Sequence, residues 1–156
     1  MFRREPTLRF VNFHRVQLLA FLGRTKEACQ LADETVAENA TDMFAQIVTA
    51  VKYAILGERD SLIDLIGGKL ESYFWNDPEF PEWIAGWFAT VGERDRAFHW
   101  LERWPDRGNI NYPLAAHVDP MLEPLRGESR FQGLLDRVRP EWEGFTPAFG
   151  SFPSEK

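Results

Sequence analysis

One cysteine, Cys29, and three histidines are all that this 156-residue chain has of the thiol and imidazole ligands that commonly bind metals. A single thiol cannot close an intrachain bridge, so the cysteine content does not call for an oxidising compartment. His14, His99 and His117 are scattered. His99 and Glu102 share a helix face, but no spacing supplies the third ligand that a metal site needs. Positive charge is also short: 18 Lys and Arg stand against 24 Asp and Glu, a formal net charge of −6. Nucleic acid and anionic membrane surfaces favour a basic face, so this balance argues against both. Long apolar runs are missing, and no segment approaches the roughly 20 residues of a membrane helix. The early apolar stretch from Val16 to Leu22 is preceded by Arg9 and Arg15 and followed by Arg24 and Lys26, with no small-residue cleavage site, which speaks against a signal sequence. No phosphate loop, nucleophile elbow, dinucleotide fingerprint or Ser/His/Asp order is present. These absences predict a cytoplasmic domain that is not an enzyme and carries no cofactor and no metal.

What is present is core-forming material and a period. The chain is 44% hydrophobic and 14% aromatic, enough to fill one domain of this length. Gly-Glu-Arg-Asp occurs at 57–60 and again at 92–95, the two glycines 35 apart, and Gly23 precedes Gly57 by 34. The flanks repeat with them. Leu19, Tyr53 and Phe88 stand four before the glycines, Ala20, Ala54 and Ala89 three before, and Val16, Ala50 and Ala85 seven before. Ala28, Leu62 and Ala97 follow at plus five, and Ala32, Ile66 and Leu101 at plus nine. Positions −7 and −4 lie on one face of a helix ending at the glycine; +5 and +9 lie on one face of the next helix. Glycine closes a helix in the left-handed conformation, and Thr25, Asp60 and Asp95 are candidate caps for the following helix. Each unit therefore reads helix, tight turn, helix. An anion-binding loop is the rival explanation, and Glu58 and Glu93 oppose it by placing negative charge where a phosphate would sit.

This pattern resembles the tetratricopeptide (TPR) repeat over roughly Thr7 to Trp104. The small residues at the crossing slots, an aromatic at −4 in Tyr53 and Phe88, and alanine at +5 in Ala28 and Ala97 carry the likeness. The +12 slot departs from it with Lys69 and Trp104, and Gly67-Gly68 is expected to loosen the second helix of the second unit, at roughly 1 kcal/mol per glycine. The stretch from Val118 through Asp119-Pro120 to Arg130-Phe131 and Leu134-Leu135 resembles the closing segment of bacterial TPR proteins. The resemblance implies an all-α fold, a right-handed α-solenoid of about three helix-turn-helix repeats plus a C-terminal capping helix. It also implies a non-catalytic protein–protein interaction scaffold or adaptor, acting with a bacterial signalling or regulatory protein.

Helices are expected near 7–22, 25–39, 42–56, 60–72, 80–91, 94–104, 120–126 and 129–138. One repeat domain with its cap then spans 1–139. Residues 140–156 form an aromatic and proline-rich tail, docked or disordered, with Trp142, Phe145, Phe149 and Phe152. The first helix is apolar on more than one side, so its outer face calls for a cover: a second copy of the chain, a preceding repeat, the tail or a partner.

In TPR-like proteins the first helices of the repeats line the partner groove. Carried over by slot, that face holds Phe10, Phe13, Gln17 and Phe21 from the first unit and Phe44, Ile47, Val51 and Ile55 from the second. It suits an apolar or amphipathic peptide, or a homodimer through the first helix; ordinary core packing is the plainer alternative. A further constellation is tryptophan. Trp83 and Trp87, and Trp100 and Trp104, are paired at i, i+4. Trp83, Trp87 and Trp100 are the residues of a small-ligand or peptide sensor, or simply helix-packing aromatics. Cys29, on the apolar face of the second helix, reads as a small core residue.

Overall fold

The computed structural model describes residues 6–108 and 111–145, the side chains of 6–9, 69 and 107 excepted. It is all-helical, with no strand among the described residues. Helices α1 (Pro6–Phe21), α2 (Thr25–Glu38) and α3 (Met43–Leu56) come first, followed by α4 (Arg59–Leu65). A π-helical turn, Ile66–Leu70, leads into the short α5 (Glu71–Phe74). Next come α6 (Phe80–Thr90) and α7 (Arg94–Leu101), a 3-10 turn at Pro105–Arg107 and a second π turn at Leu114–Val118. A 3-10 segment, Pro120–Leu125, precedes α8 (Ser129–Gly144). No described helix is long and apolar enough to cross a membrane.

Many helix contacts join neighbours in the chain, and others skip between them. α1 lies on α2, α2 on α3, and α1 also on α3; α3 meets α4 and α6, and α6 meets α7. The three marked glycines end helices in the left-handed conformation, with φ of 68° at Gly23, 73° at Gly57 and 81° at Gly92. The same pair of hydrogen bonds closes each end. The glycine N–H donates to the carbonyl of Ala20, Ala54 or Ala89, at 3.0, 3.2 and 3.1 Å. The next residue's N–H donates to the carbonyl of Leu19, Tyr53 or Phe88, each at 2.9 Å. This is the Schellman arrangement, in which two otherwise orphaned carbonyls are satisfied at one bend. The acceptors are the residues three and four before each glycine, so the recurring sequence slots are also the slots of the closing bonds.

The helices that follow start earlier than the capping pattern suggests, by one residue after Gly23 and by two after Gly57 and Gly92. Arg24, Glu58 and Glu93 occupy the cap positions, none with a side-chain cap bond. Thr25, Asp60 and Asp95 therefore lie in the first turn rather than at the cap. The two aspartates still face the positive end of the helix dipole there, which favours a carboxylate without a cap bond. Gly67-Gly68 disrupts its helix as its composition suggests: Gly68 has ψ −129°, inside the π turn that separates α4 from α5.

The core is continuous. α3 buries Ala45, Ile47, Val48, Ala50, Val51 and Ala54, and α6 buries nearly every side chain from Pro81 to Ala89. α6 can sink this far because Gly86 leaves room for the 3-10 segment: a Cβ there would stand 3.1 Å from Cβ of Met121. Phe131, Leu134, Leu135 and Val138 form the buried stripe of α8. Phe10, Val11 and Leu18 on α1, and Leu22 just after it, remain exposed.

Candidate functional site

The helix face that sequence slots assign to a partner is largely occupied by the chain itself. Phe13 is buried, stacked on Phe80 at 5.6 Å and packed on Trp83 at 5.2 Å. Gln17 is 1% exposed, accepts a hydrogen bond from Trp87 Nε1 at 3.1 Å and places its amide 3.1 Å from Met121 Sδ. Ile47 and Val51 are fully buried, while Phe44 and Ile55 are half-buried against the core. Phe21 stacks on Trp83 at 6.3 Å. Phe10 stays exposed, edge-on to Phe44 at 5.8 Å. The tryptophans likewise separate. Trp87 is held by Gln17, and Trp100 is buried edge-on to Trp75 at 5.4 Å. Trp83 alone of the three borders an open cleft.

That cleft, of about 710 Å³, is the candidate site. One wall comes from the start of α6. Asp77 Oδ1 accepts from the N–H groups of Glu79 and Phe80, at 2.8 and 3.0 Å, and Pro81 follows at the head of the helix. This turn leads into α6, whose N-cap is Glu79, and so bears on where Glu79, Glu82 and Trp83 stand. Trp83 is wedged against Phe13, Phe21 and His14 of α1. His14 also lines the cleft, and its Nδ1–H donates to the Phe10 carbonyl at 3.0 Å. The other wall is Trp142 and Phe145 at the end of α8, with Gly108, Asn111 and Leu114 between the two. Trp142 stacks on Tyr112 at 5.5 Å, and Arg139 donates to the Tyr112 hydroxyl at 2.8 Å.

The acidic side chains of this lining are Glu79, exposed, and Glu82, 2% exposed; neither lysine nor arginine stands among the described lining residues. Volume, aromatic content and a few polar groups match what small ligands and peptide side chains occupy. Among the described residues no three His, Cys, Asp or Glu side chains group closely enough to hold a metal ion. Cys29 is half-buried, and burial pushes its thiol pKa up, which keeps it protonated. Asp119, behind α6, titrates well away from the ordinary aspartate value. Burial raises its pKa to about 6, against the opposing pull of the Met121 N–H, the Arg126 charge and the Leu122 N–H.

Two contributors to the cleft, Trp142 and Phe145, lie in what composition marks as tail. The helix continues through Pro140 to Gly144, six residues past the expected end at 138, and carries Trp142 back onto Tyr112. Phe149 and Phe152 fall outside the described residues. The sequence signal for this wall is faint: Trp142 lies four beyond Val138, in register with the apolar stripe of α8, across a proline that ordinarily ends a helix. No family model, no curated protein and no solved structure matches this chain.

Proposed function

We propose that this chain is a non-catalytic protein-interaction module, an adaptor built as a right-handed α-solenoid of TPR-like repeats with a C-terminal cap, and that it seats a segment of its partner in the cleft between α1, α6 and the end of α8. The observation that carries this is the convergence of Trp83, Trp142 and Phe145 on one open cleft of about 710 Å³. Three Schellman bends at a spacing of 34 to 35 residues support the repeat architecture. The face predicted from repeat slots supports it less directly. Because Phe13, Gln17, Ile47 and Val51 are buried, Phe13→Glu tests folding rather than docking. Partners of TPR-like type, including bacterial signalling or regulatory proteins, remain the class in view.

Selection of random peptides against the full chain, with counter-selection on Trp142→Ala, tests the proposal. Trp142 is 41% exposed, so its removal leaves most of the core intact. Peptides that bind the native chain and not the variant are the expected result. Recovery of no such peptide, or of peptides indifferent to Trp142 and Phe145, would sink it. A small-ligand sensor is the second reading, favoured by a cleft volume within the usual range for metabolite pockets.

A further inference from the structure

We propose that the group this cleft recognises is a cation: the ammonium or guanidinium of a lysine- or arginine-bearing peptide segment. The inference rests on the partner-binding reading above and specifies the chemistry of what enters. Three features of the cleft point the same way.

Charge comes first. The described lining carries the exposed Glu79 carboxylate and no basic side chain, while Glu82 is buried. His14 lines the cleft with its Nδ1 bonded to the Phe10 carbonyl. An anionic segment would bring like charge into a partly dehydrated space, and a purely apolar one would cover Glu79 without offering it a donor. A cation meets the Glu79 carboxylate.

Aromatic faces come second. Trp142 keeps one face on Tyr112 and is still 41% exposed, and Phe145 is 63% exposed. Electron-rich faces attract ammonium and guanidinium groups, most strongly where water is excluded. The same end of the molecule already uses this chemistry internally: the Arg139 guanidinium carbon lies 5.1 Å from the centre of the Tyr112 ring that supports Trp142. Third, the net charge of −6 draws a basic segment in from solution.

The test uses the full chain, its tryptophan fluorescence, and capped pentapeptides that differ only in whether the central residue is lysine, norleucine or glutamate. The lysine peptide is expected to bind about tenfold more tightly than the norleucine peptide, and the glutamate peptide more weakly than either. Glu79→Gln, at an exposed position, and Phe145→Ala are each expected to erase most of that preference while the melting temperature stays put. Equal binding of lysine and norleucine peptides, or an unchanged preference in both variants, overturns the cation inference and leaves the partner reading standing. Failure of all three peptides in a chain that still yields Trp142-dependent binders by selection, none of them basic, also overturns the inference alone. An n-butylamine arm separates the sources. Binding as tight as the peptide's overturns a peptide occupant, while much weaker binding supports it.

Discussion

Arg59 and Glu93 are 34 residues apart in the chain, and their side chains meet with Nε 2.5 Å from Oε1. They belong to the two Gly-Glu-Arg-Asp turns. Arg94 of the second turn reaches Glu128, another 34 residues on (128 − 94), at 3.2 Å. The tetrapeptide is thus punctuation that also links one bend to the next. The arginine of each turn holds the glutamate of its successor.

This link is exposed, so its strength depends on salt. A double-mutant cycle on Arg59→Ala and Glu93→Ala is expected to give a small favourable coupling at low ionic strength that disappears in roughly 1 M salt. Glu93→Ala alone is expected to cost more than Arg59→Ala: each has a second partner, Arg96 at 3.3 Å and Asp60 at 3.2 Å, but the Glu93 side chain is 18% exposed and that of Arg59 55%. Coupling that persists at high salt would mean that the pair is not acting through charge.

The bend itself makes a sharper prediction. Gly92 has φ 81°, where a side chain is strained, so Gly92→Ala is expected to destabilise by about 1 kcal/mol in urea melts. Gly127, which opens the next turn, has no positive φ and nothing within 4 Å of an added Cβ. Gly127→Ala is expected to be neutral or slightly stabilising, through the unfolded chain. Equal effects at the two sites would contradict the role given to the left-handed bends.

Gln17 offers a test of the closed inner face. Its side chain is the acceptor for the buried Trp87 N–H. Gln17→Leu fits the space but leaves that donor without a partner, at a cost of about 1–3 kcal/mol. Chemical denaturation measures the loss, and Gln17→Glu is a useful second variant because it keeps an acceptor while adding a buried charge.

Asp119 gives the stability a pH dependence of unusual sign. Its folded pKa, about 6, lies above the ordinary aspartate value of 3.8. The folded state therefore holds a proton that the unfolded state gives up, and the stabilisation from that proton is lost as pH rises through 6. This one group makes the protein about 1 kcal/mol more stable at pH 5 than at pH 7.5. Asp119→Asn retains an acceptor for the Met121 N–H, bonded at 2.8 Å in the native chain, and is expected to flatten that part of the profile. A variant whose stability still falls over the same interval would assign the effect elsewhere.

Local structure was largely legible in the residues. Glycine at a fixed period, with alanine three before it, marks a Schellman bend because both the left-handed conformation and the tight crossing need small residues. Most helix limits agree within a few residues. What could not be read was which apolar face meets which. A repeat pattern shows that Phe13, Ile47 and Val51 share one side, but not that Trp83, Trp87 and Met121 close over that side. Contacts across 104 positions, such as Gln17 with Met121, have no local signature. Pro140 hid the last part of α8 for the opposite reason: a strong local signal for termination was overridden by the stacking of Trp142 on Tyr112.

The Gln17 bridge has one more consequence. A strictly linear array, in which each unit touches only its neighbours, frays from either end and melts gradually. Here residue 17 is joined to residues 87 and 121, so the amino end cannot peel away without exposing the middle. Loss of the carboxyl third would loosen the opening helix first, and heating would take the molecule down in a single sharp transition.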